Sequence, residues 1–318
     1  NTFFKDLRRM SRDSTAYRKQ GRFWVEGDHL CRAALVRGVQ PLVAVFSESF
    51  WPLVPAQFSN AAAKNIILPD TFFADISGLE SPASMGFVFE LPVAQILLPT
   101  MASVILDRVQ DAGNVGAILR NASAFGFKQV IALKGTAALW SPKVLRAGMG
   151  AHWGLQLMEG VELAELVAFE LPILVTSSHR GSFLHQAVQQ KLLPMPCVWA
   201  LGHEGQGVSA ELEALAQLHV RIAQPGGEES LNVAAAAAIC CSLLLLLSVA
   251  LCCSLLLSVA FCCSLLLSVA LFCSLLLSVV LCFSWVLSVA LFCFRLLYVA
   301  ICVSLLLPVS FSFALLLI

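Results

Sequence analysis

With 318 residues and a formal net charge of zero, the chain has the length of two domains, but its composition breaks near residue 240. From Cys240 to Ile318 the single charged residue is Arg295 and ten of the 12 cysteines fall there, so residues 1–239 keep 19 basic and 20 acidic residues, a net charge of −1. Residues 1–239 have the make-up of a soluble globular protein; Cys31 and Cys197 exclude a disulfide framework and show no metal-ligand spacing, so no metal is assigned and a reducing, cytoplasmic compartment is expected. No secretory signal opens the sequence, and the start at Asn1 points to an incomplete amino end.

Residues 1–92 read as a small α/β domain. A basic helix is followed by a strand at Arg22–Val25 and a second helix through Leu30, Ala33, Ala34 and Gly38; LVAVFSES, NIILPD and GFVFELP read as further strands. Residues 1–38 hold nine basic residues against four acidic ones, an excess that suits a polyanion, with Arg18 and Arg22 among the candidates. A solvated helix face has the same signature. Residues 93–101, between Pro92 and Met101, read as a linker.

Residues 102–240 alternate short apolar strands (103–109, 129–133, 172–178, 196–202, 219–223) with helices near 114–125, 142–149, 161–169 and 209–216 and from 230. That order predicts a mostly parallel sheet covered on both faces. In LDRVQDAGNVGAILRNASAFGF (106–127) a strand ends at Val109 and a helix begins at Asn114, with Val115, Ile118, Ala122 and Phe125 facing the sheet. Asn114 has the place of a cap, and Arg120 stands farther along the helix. Ser141-Pro142 is a helix start that sets Lys143 and Arg146 on one face, as phosphate contacts or as surface charge.

VWALGHEGQGVS (198–209) is a strand followed by Gly202, Glu204, Gly205 and Gly207, where glycines let a cofactor approach the backbone. In IAQPGGEESLNVAAAAAI (222–239) a strand enters a Pro-Gly-Gly turn, a helix opens at Glu229-Ser230, and Ala234 to Ala238 leave room for close packing. Such a strand, turn and small-residue helix describe a ligand-binding corner, or an ordinary connection. The tail, 241–318, repeats a ten-residue unit near SVALCCSLLL from Ser248. Its period returns to no single helix face, and it lacks the polar loops that would separate membrane spans. A repeat expansion is expected, with membrane association only if the tail is a genuine anchor.

The three stretches 106–127, 198–209 and 222–239 resemble, in order, the three signatures of the SpoU (TrmH-like) RNA 2′-O-ribose methyltransferases of the SPOUT superfamily. RFWVEGDHLCRAAL is similar to the L30e-like substrate-binding domain that often precedes that catalytic domain. The resemblance implies a trefoil-knotted, mostly parallel sheet, a homodimer formed through the knotted domain, S-adenosylmethionine as cofactor and an RNA ribose 2′-hydroxyl as acceptor. Ribosomal RNA is the expected substrate and transfer RNA the alternative; a non-catalytic RNA-binding protein and a membrane-anchored one are the other readings. It further implies a catalytic set of Asn114, Arg120, Glu204, Ser230 and Asn232. Cofactor contacts are implied at Leu201, Gly202, Glu204, Gly205, Gly207, Ile222, Gln224, Leu231 and Asn232; the RNA contacts expected at Arg18, Arg22, Lys143 and Arg146 rest on their own charge and place. Ala223 stands where many members have proline.

Overall fold

The computed structural model describes residues 2–79, 81–93, 95–226, 230–243, 246, 292 and 294–297. Two compact units divide the chain, Asn1–Leu244 and Leu245–Ile318. The ten-residue repeat, Gly227 and Glu229 lie outside the described residues, apart from the few just given in the tail.

The first unit opens with two helices, α1 (Thr2–Arg12) and α2 (Ala16–Gln20), in place of the single basic helix expected. Gly21, in the left-handed region at φ +64°, ends α2 and turns the chain into β1 (Arg22–Glu26). There follow α3 (Asp28–Val36), β2 (Val43–Ser47), α4 (Ala56–Ser59), β3 (Asn65–Leu68), α5 (Asp70–Ile76) and β4 (Met85–Glu90). The four strands lie in the order β1-β4-β2-β3, antiparallel except for the parallel β2–β3 pair. α4 and α5 are too short for a 3.6-residue repeat to show in the sequence. Much of the basic excess is neutralised here: Arg8 and Arg12 both pair with Asp75 (3.3 and 3.0 Å), Arg9 with Asp13 (3.8 Å) and Arg32 with Asp28 (3.2 Å).

The second sheet is assembled from β5 (Ser103–Leu106), α6 (Ala112–Ala124), β6 (Gln129–Leu133), α7 (Pro142–Gly148), β7 (Gln156–Val161), β8 (Ile173–Thr176), β9 (Ser182–Phe183), α8 (Leu184–Gln189), β10 (Val198–Leu201), α9 (Ala210–Leu215) and β11 (Leu218–Arg221). Residues 233–243 form a last helix, α10. The seven strands run parallel in the order β7-β6-β5-β10-β8-β11-β9. β5, β6 and β10 are buried along their whole length, as their continuous apolar runs require.

Three details depart from expectation. β7 was hidden by Glu159 and Gly160, which interrupt its apolar run, and β9 is two residues long. The helix expected over 161–169 is a 3-10 helix, Leu163–Ala168, held at its start by reciprocal caps from Glu162 and Glu165. Helix α10 starts at 233 rather than at Glu229-Ser230, because the cap is Asn232: its Oδ1 accepts from the N–H groups of Ala234 (2.9 Å) and Ala235 (3.2 Å).

The two sheets share one core. Phe23 of β1 and Phe89 of β4 pack against Trp140 and Trp153, with Phe23–Trp140 and Phe89–Trp153 centroids both 4.7 Å apart. Tyr17 donates its hydroxyl proton to Glu159 of β7 (2.6 Å), and Arg18 reaches the same carboxylate (3.5 Å). Leu139 closes this junction by donating its N–H to Glu159 (2.5 Å).

Beside that junction His152 is buried, its Nε2 donating to the Leu139 carbonyl (2.9 Å) and its Nδ1 without a partner. Burial holds this imidazole down to about 4, against the smaller opposing pull of the Leu139 hydrogen bond. The folded protein therefore keeps His152 neutral while the unfolded chain takes up a proton below about pH 6.5, so stability is full above that value and falls as pH drops toward 4. Urea unfolding is expected to show a loss of about 2 kcal/mol from this group between pH 7 and pH 5. His152→Phe should flatten that part of the pH profile; an unchanged slope would assign it to other groups.

Candidate active site

β5 and β10 are neighbours in register, Leu106 beside Leu201, so the loops leaving their carboxyl ends meet. The first loop ends at Asp111, whose Oδ1 accepts the Asn114 N–H (2.7 Å). Asp111 is thus the cap of α6, and Asn114, expected at the helix start, sits in its first turn with its side chain free for other partners. Val115, Ile118 and Ala122 are buried against the sheet as their spacing requires, with Phe125 partly buried beside them.

The second loop, 202–208, closes on itself. His203 and Gly207 exchange N–H···O bonds of 2.9 Å each, and His203 Nδ1 accepts from the N–H groups of Gly205 (2.9 Å) and Gln206 (3.2 Å). A Cβ on Gly202 would overlap the Gly207 carbonyl carbon and the Val208 nitrogen. Gly202 is therefore required by the loop's own closure, a different reason from the cofactor approach expected from sequence.

Two residues that sequence reasoning passed over fasten this loop. Asp107, buried at the end of β5, accepts from the Ser209 N–H (2.5 Å) and from Arg108 Nε (3.1 Å). Arg108 adopts a left-handed backbone, φ +59°, and its guanidinium donates to Gln206 Oε1 (3.1 Å). The available signal was a charged pair directly after the apolar run VIL.

Glu204 crosses from the second loop to the first. Its carboxylate accepts from the N–H groups of Gln110 (3.3 Å) and Asp111 (3.1 Å) and from Asn114 Nδ2 (3.1 Å). Partial burial works to raise this carboxyl's pKa, but the hydrogen bonds from Asn114 and the backbone outweigh it, and Glu204 stays below the usual carboxylate range. Asn114 Oδ1 in turn accepts from Asn232 Nδ2 (3.0 Å). One chain of hydrogen bonds, Glu204–Asn114–Asn232, thereby ties all three stretches together and ends on the α10 amino terminus.

Around this network lie most of the other expected residues. Ser230 and Leu231 are exposed immediately before Asn232, and Ser230 makes no hydrogen bond among the described residues. Ile222 and Gln224 are half-buried beyond the end of β11, across β8 from the buried Leu201 and Gly202. Gly205 and Gly207 are exposed on the closed loop, and Gly207 needs its glycine for a φ of +70°.

Arg120 lies elsewhere. Six residues at roughly 100° each carry it about 240° round the helix from Asn114. Its exposed side chain lines a cavity shared with His29 and Arg32 of α3 and with Arg37 just after it. The four cations expected to meet a polyanion also differ among themselves. Arg22 and Lys143 are exposed, Arg18 is engaged by Glu159 and lies beside the Tyr17 ring, and Arg146 is half-buried with its guanidinium against Gly78.

Comparison with known proteins matches residues 101–242 to the SpoU rRNA Methylase family. The 23S rRNA (guanosine(2553)-2'-O)-methyltransferase RlmP of Bacillus subtilis is 30% identical over 221 residues, 68% of this chain and 85% of that protein. A solved structure from Porphyromonas gingivalis, assigned to the TrmH family of RNA methyltransferases, superposes with TM-score 0.65 at 30% identity, covering 77% of this chain and 97% of that one. An AdoMet-bound rRNA methyltransferase from Sinorhizobium meliloti superposes with TM-score 0.65 at 25% identity, covering 76% of this chain and 93% of that one.

Proposed function

From the premise that this chain belongs to the SpoU rRNA methylase family, we propose that it transfers a methyl group from S-adenosylmethionine to a ribose 2′-hydroxyl of ribosomal RNA. The observation that carries the proposal is the Glu204–Asn114–Asn232 chain, which unites three sequence-distant loops at the carboxyl end of a parallel sheet.

The residues present fit the cofactor. Ile222 and the exposed Leu231 offer apolar faces to an adenosine, and the carboxyl ends of β10 and β11 present backbone at Leu201–Gly202 and Ile222–Gln224. When bound, S-adenosylmethionine supplies an electrophilic methyl group; the chain supplies position and electrostatics. Glu204 accepts three hydrogen bonds, so its carboxylate holds the first loop in place instead of collecting the hydroxyl proton. Asn114 and Asn232 fix the floor on which the ribose rests, and the exposed Ser230 hydroxyl faces the incoming sugar. Arg120 serves as a cation for the adjoining phosphate.

The proposal extends to a homodimer, to a reducing, cytoplasmic location in keeping with the free and buried Cys31, Cys197, Cys240 and Cys241, and to a threaded carboxyl end. Two features support the threading: β11 lies inside the sheet between β8 and β9, and α10 returns to α6, where Asn121 Nδ2 donates to the Ala234 carbonyl (3.0 Å). The tail takes no part in the chemistry.

Mapping ribose methylation in total RNA with and without the gene tests the reading. One ribosomal 2′-O-methyl group should vanish on deletion and return with either the full chain or residues 1–244. A mark lost from transfer RNA would favour the alternative substrate, and no lost mark would sink the assignment.

A further inference from the structure

Arg108 occupies a left-handed backbone, φ +59°, which glycine adopts freely and a residue with a Cβ only at a cost. The turn after β6 holds it there. Thr136 Oγ1 accepts the Arg108 N–H (3.1 Å) and donates to the Leu106 carbonyl (2.9 Å). Gly135 leaves room for the side chain, since a Cβ on it would stand 3.1 Å from Arg108 Cγ. Arg108 Nε then donates to the buried Asp107 (3.1 Å), and the remaining length of the side chain brings Nη1 to Gln206 Oε1 (3.1 Å). A strained backbone held from several sides at the edge of a site points to a task for the side chain it aims.

Side chains tie the 202–208 loop to the segment after β5 at two points, Glu204 and Gln206, and Ser209 just beyond it is held by Asp107. The backbone N–H groups of Gly205, Gln206 and Gly207 all turn inward to His203, so the Gln206 side chain is the outward contact of that end of the loop. Its partner is 34% exposed, and one such bond to a neutral amide competes with water. Exposed segments with few buried contacts open locally while the rest of the fold persists. Resting on the reading of this loop as one wall of the cofactor site, we propose that Arg108 is a positioning residue for the cofactor. Through Gln206 it latches the 202–208 loop in the form that encloses S-adenosylmethionine, and release of that bond lets the cofactor exchange. The buried Asp107–Ser209 bond beneath stays closed and returns the loop to register.

The test reads the full chain in two ways: amide hydrogen exchange of residues 203–207 without cofactor, and the dissociation rate of S-adenosylmethionine by stopped-flow displacement. Gln206 is exposed, so substitutions there leave the core and the thermal unfolding midpoint untouched. Gln206→Leu should quicken both exchange and dissociation about tenfold. Gln206→Glu gives the guanidinium a carboxylate and should slow both, a gain that added salt removes. With Arg108→Gly, which suits the left-handed backbone, the leucine and glutamate variants should become alike. Equal exchange and dissociation for the two Gln206 variants overturn the proposal, and that pair decides even if Arg108→Gly fails to fold. A difference between them that survives Arg108→Gly overturns it too, because the added carboxylate would then act on the cationic cofactor directly. No cofactor binding by the unaltered protein, with the exchange difference intact, would instead remove the methyltransferase reading and leave the latch standing.

Discussion

Glu204→Gln is expected to lower single-turnover methylation by about a hundredfold or more while leaving the thermal unfolding midpoint nearly unchanged. The carboxylate now accepts from two backbone N–H groups and from Asn114 Nδ2. An amide has one oxygen for these three donors, and its NH2 meets a donor where an acceptor is needed. The first loop then loses its tie to 202–208, and Asn114 loses the bond that orients its amide toward Asn232. Because Glu204 is exposed, its removal leaves no hole in the core, so the loss appears in rate rather than in stability. Near-normal turnover in the folded variant would show that the Glu204–Asn114–Asn232 chain is not what positions the ribose.

Arg120 should show a loss of similar size with a different pattern. Arg120→Ala removes the cation, and Arg120→Lys keeps the charge but replaces a planar fork with a point charge. Both are expected to cost on the order of a hundredfold in single-turnover rate, with the lysine variant recovering little, and both should leave S-adenosylmethionine affinity unchanged in calorimetry. Under the proposed function the 202–208 and 222–232 segments hold the cofactor, and Arg120 lines a cavity that includes no residue of either. A lysine variant with near-normal turnover would mean that charge alone suffices there, and a folded alanine variant that no longer binds cofactor would place Arg120 in the wrong site.

The sheet was legible because strands buried on both faces are continuous apolar runs, as VIL and VWAL are in β5 and β10. Edge strands broken by Glu159-Gly160 carry no such run. At the site, Asn114, Glu204 and Asn232 were each within reach of the sequence as members of three separate stretches. Their mutual hydrogen bonds depend on β5 and β10 being neighbours, a fact of strand order that no local pattern encodes. Caps moved for a local reason: Asp111 and Asn232 present an oxygen two or three residues before the N–H groups they accept from. Arg120 lies on α6 as expected, but its helical phase turns it away from Asn114, and the helix that meets it there, α3, belongs with the other sheet. The basic amino-terminal run was ambiguous by composition; the structure divides it, with Arg8, Arg9 and Arg12 in ion pairs and Arg37 without one among the described residues.

The aromatic junction of Phe23, Phe89, Trp140 and Trp153 bears on how the two sheets move. Each such pair adds roughly 0.5–1.5 kcal/mol beyond its burial, and the Tyr17–Glu159 bond fastens the same seam. The span from α3 to Asn114 is therefore a fixed length, set by packing and not by the linker. The two sheets therefore open together or not at all, as one cooperative unit.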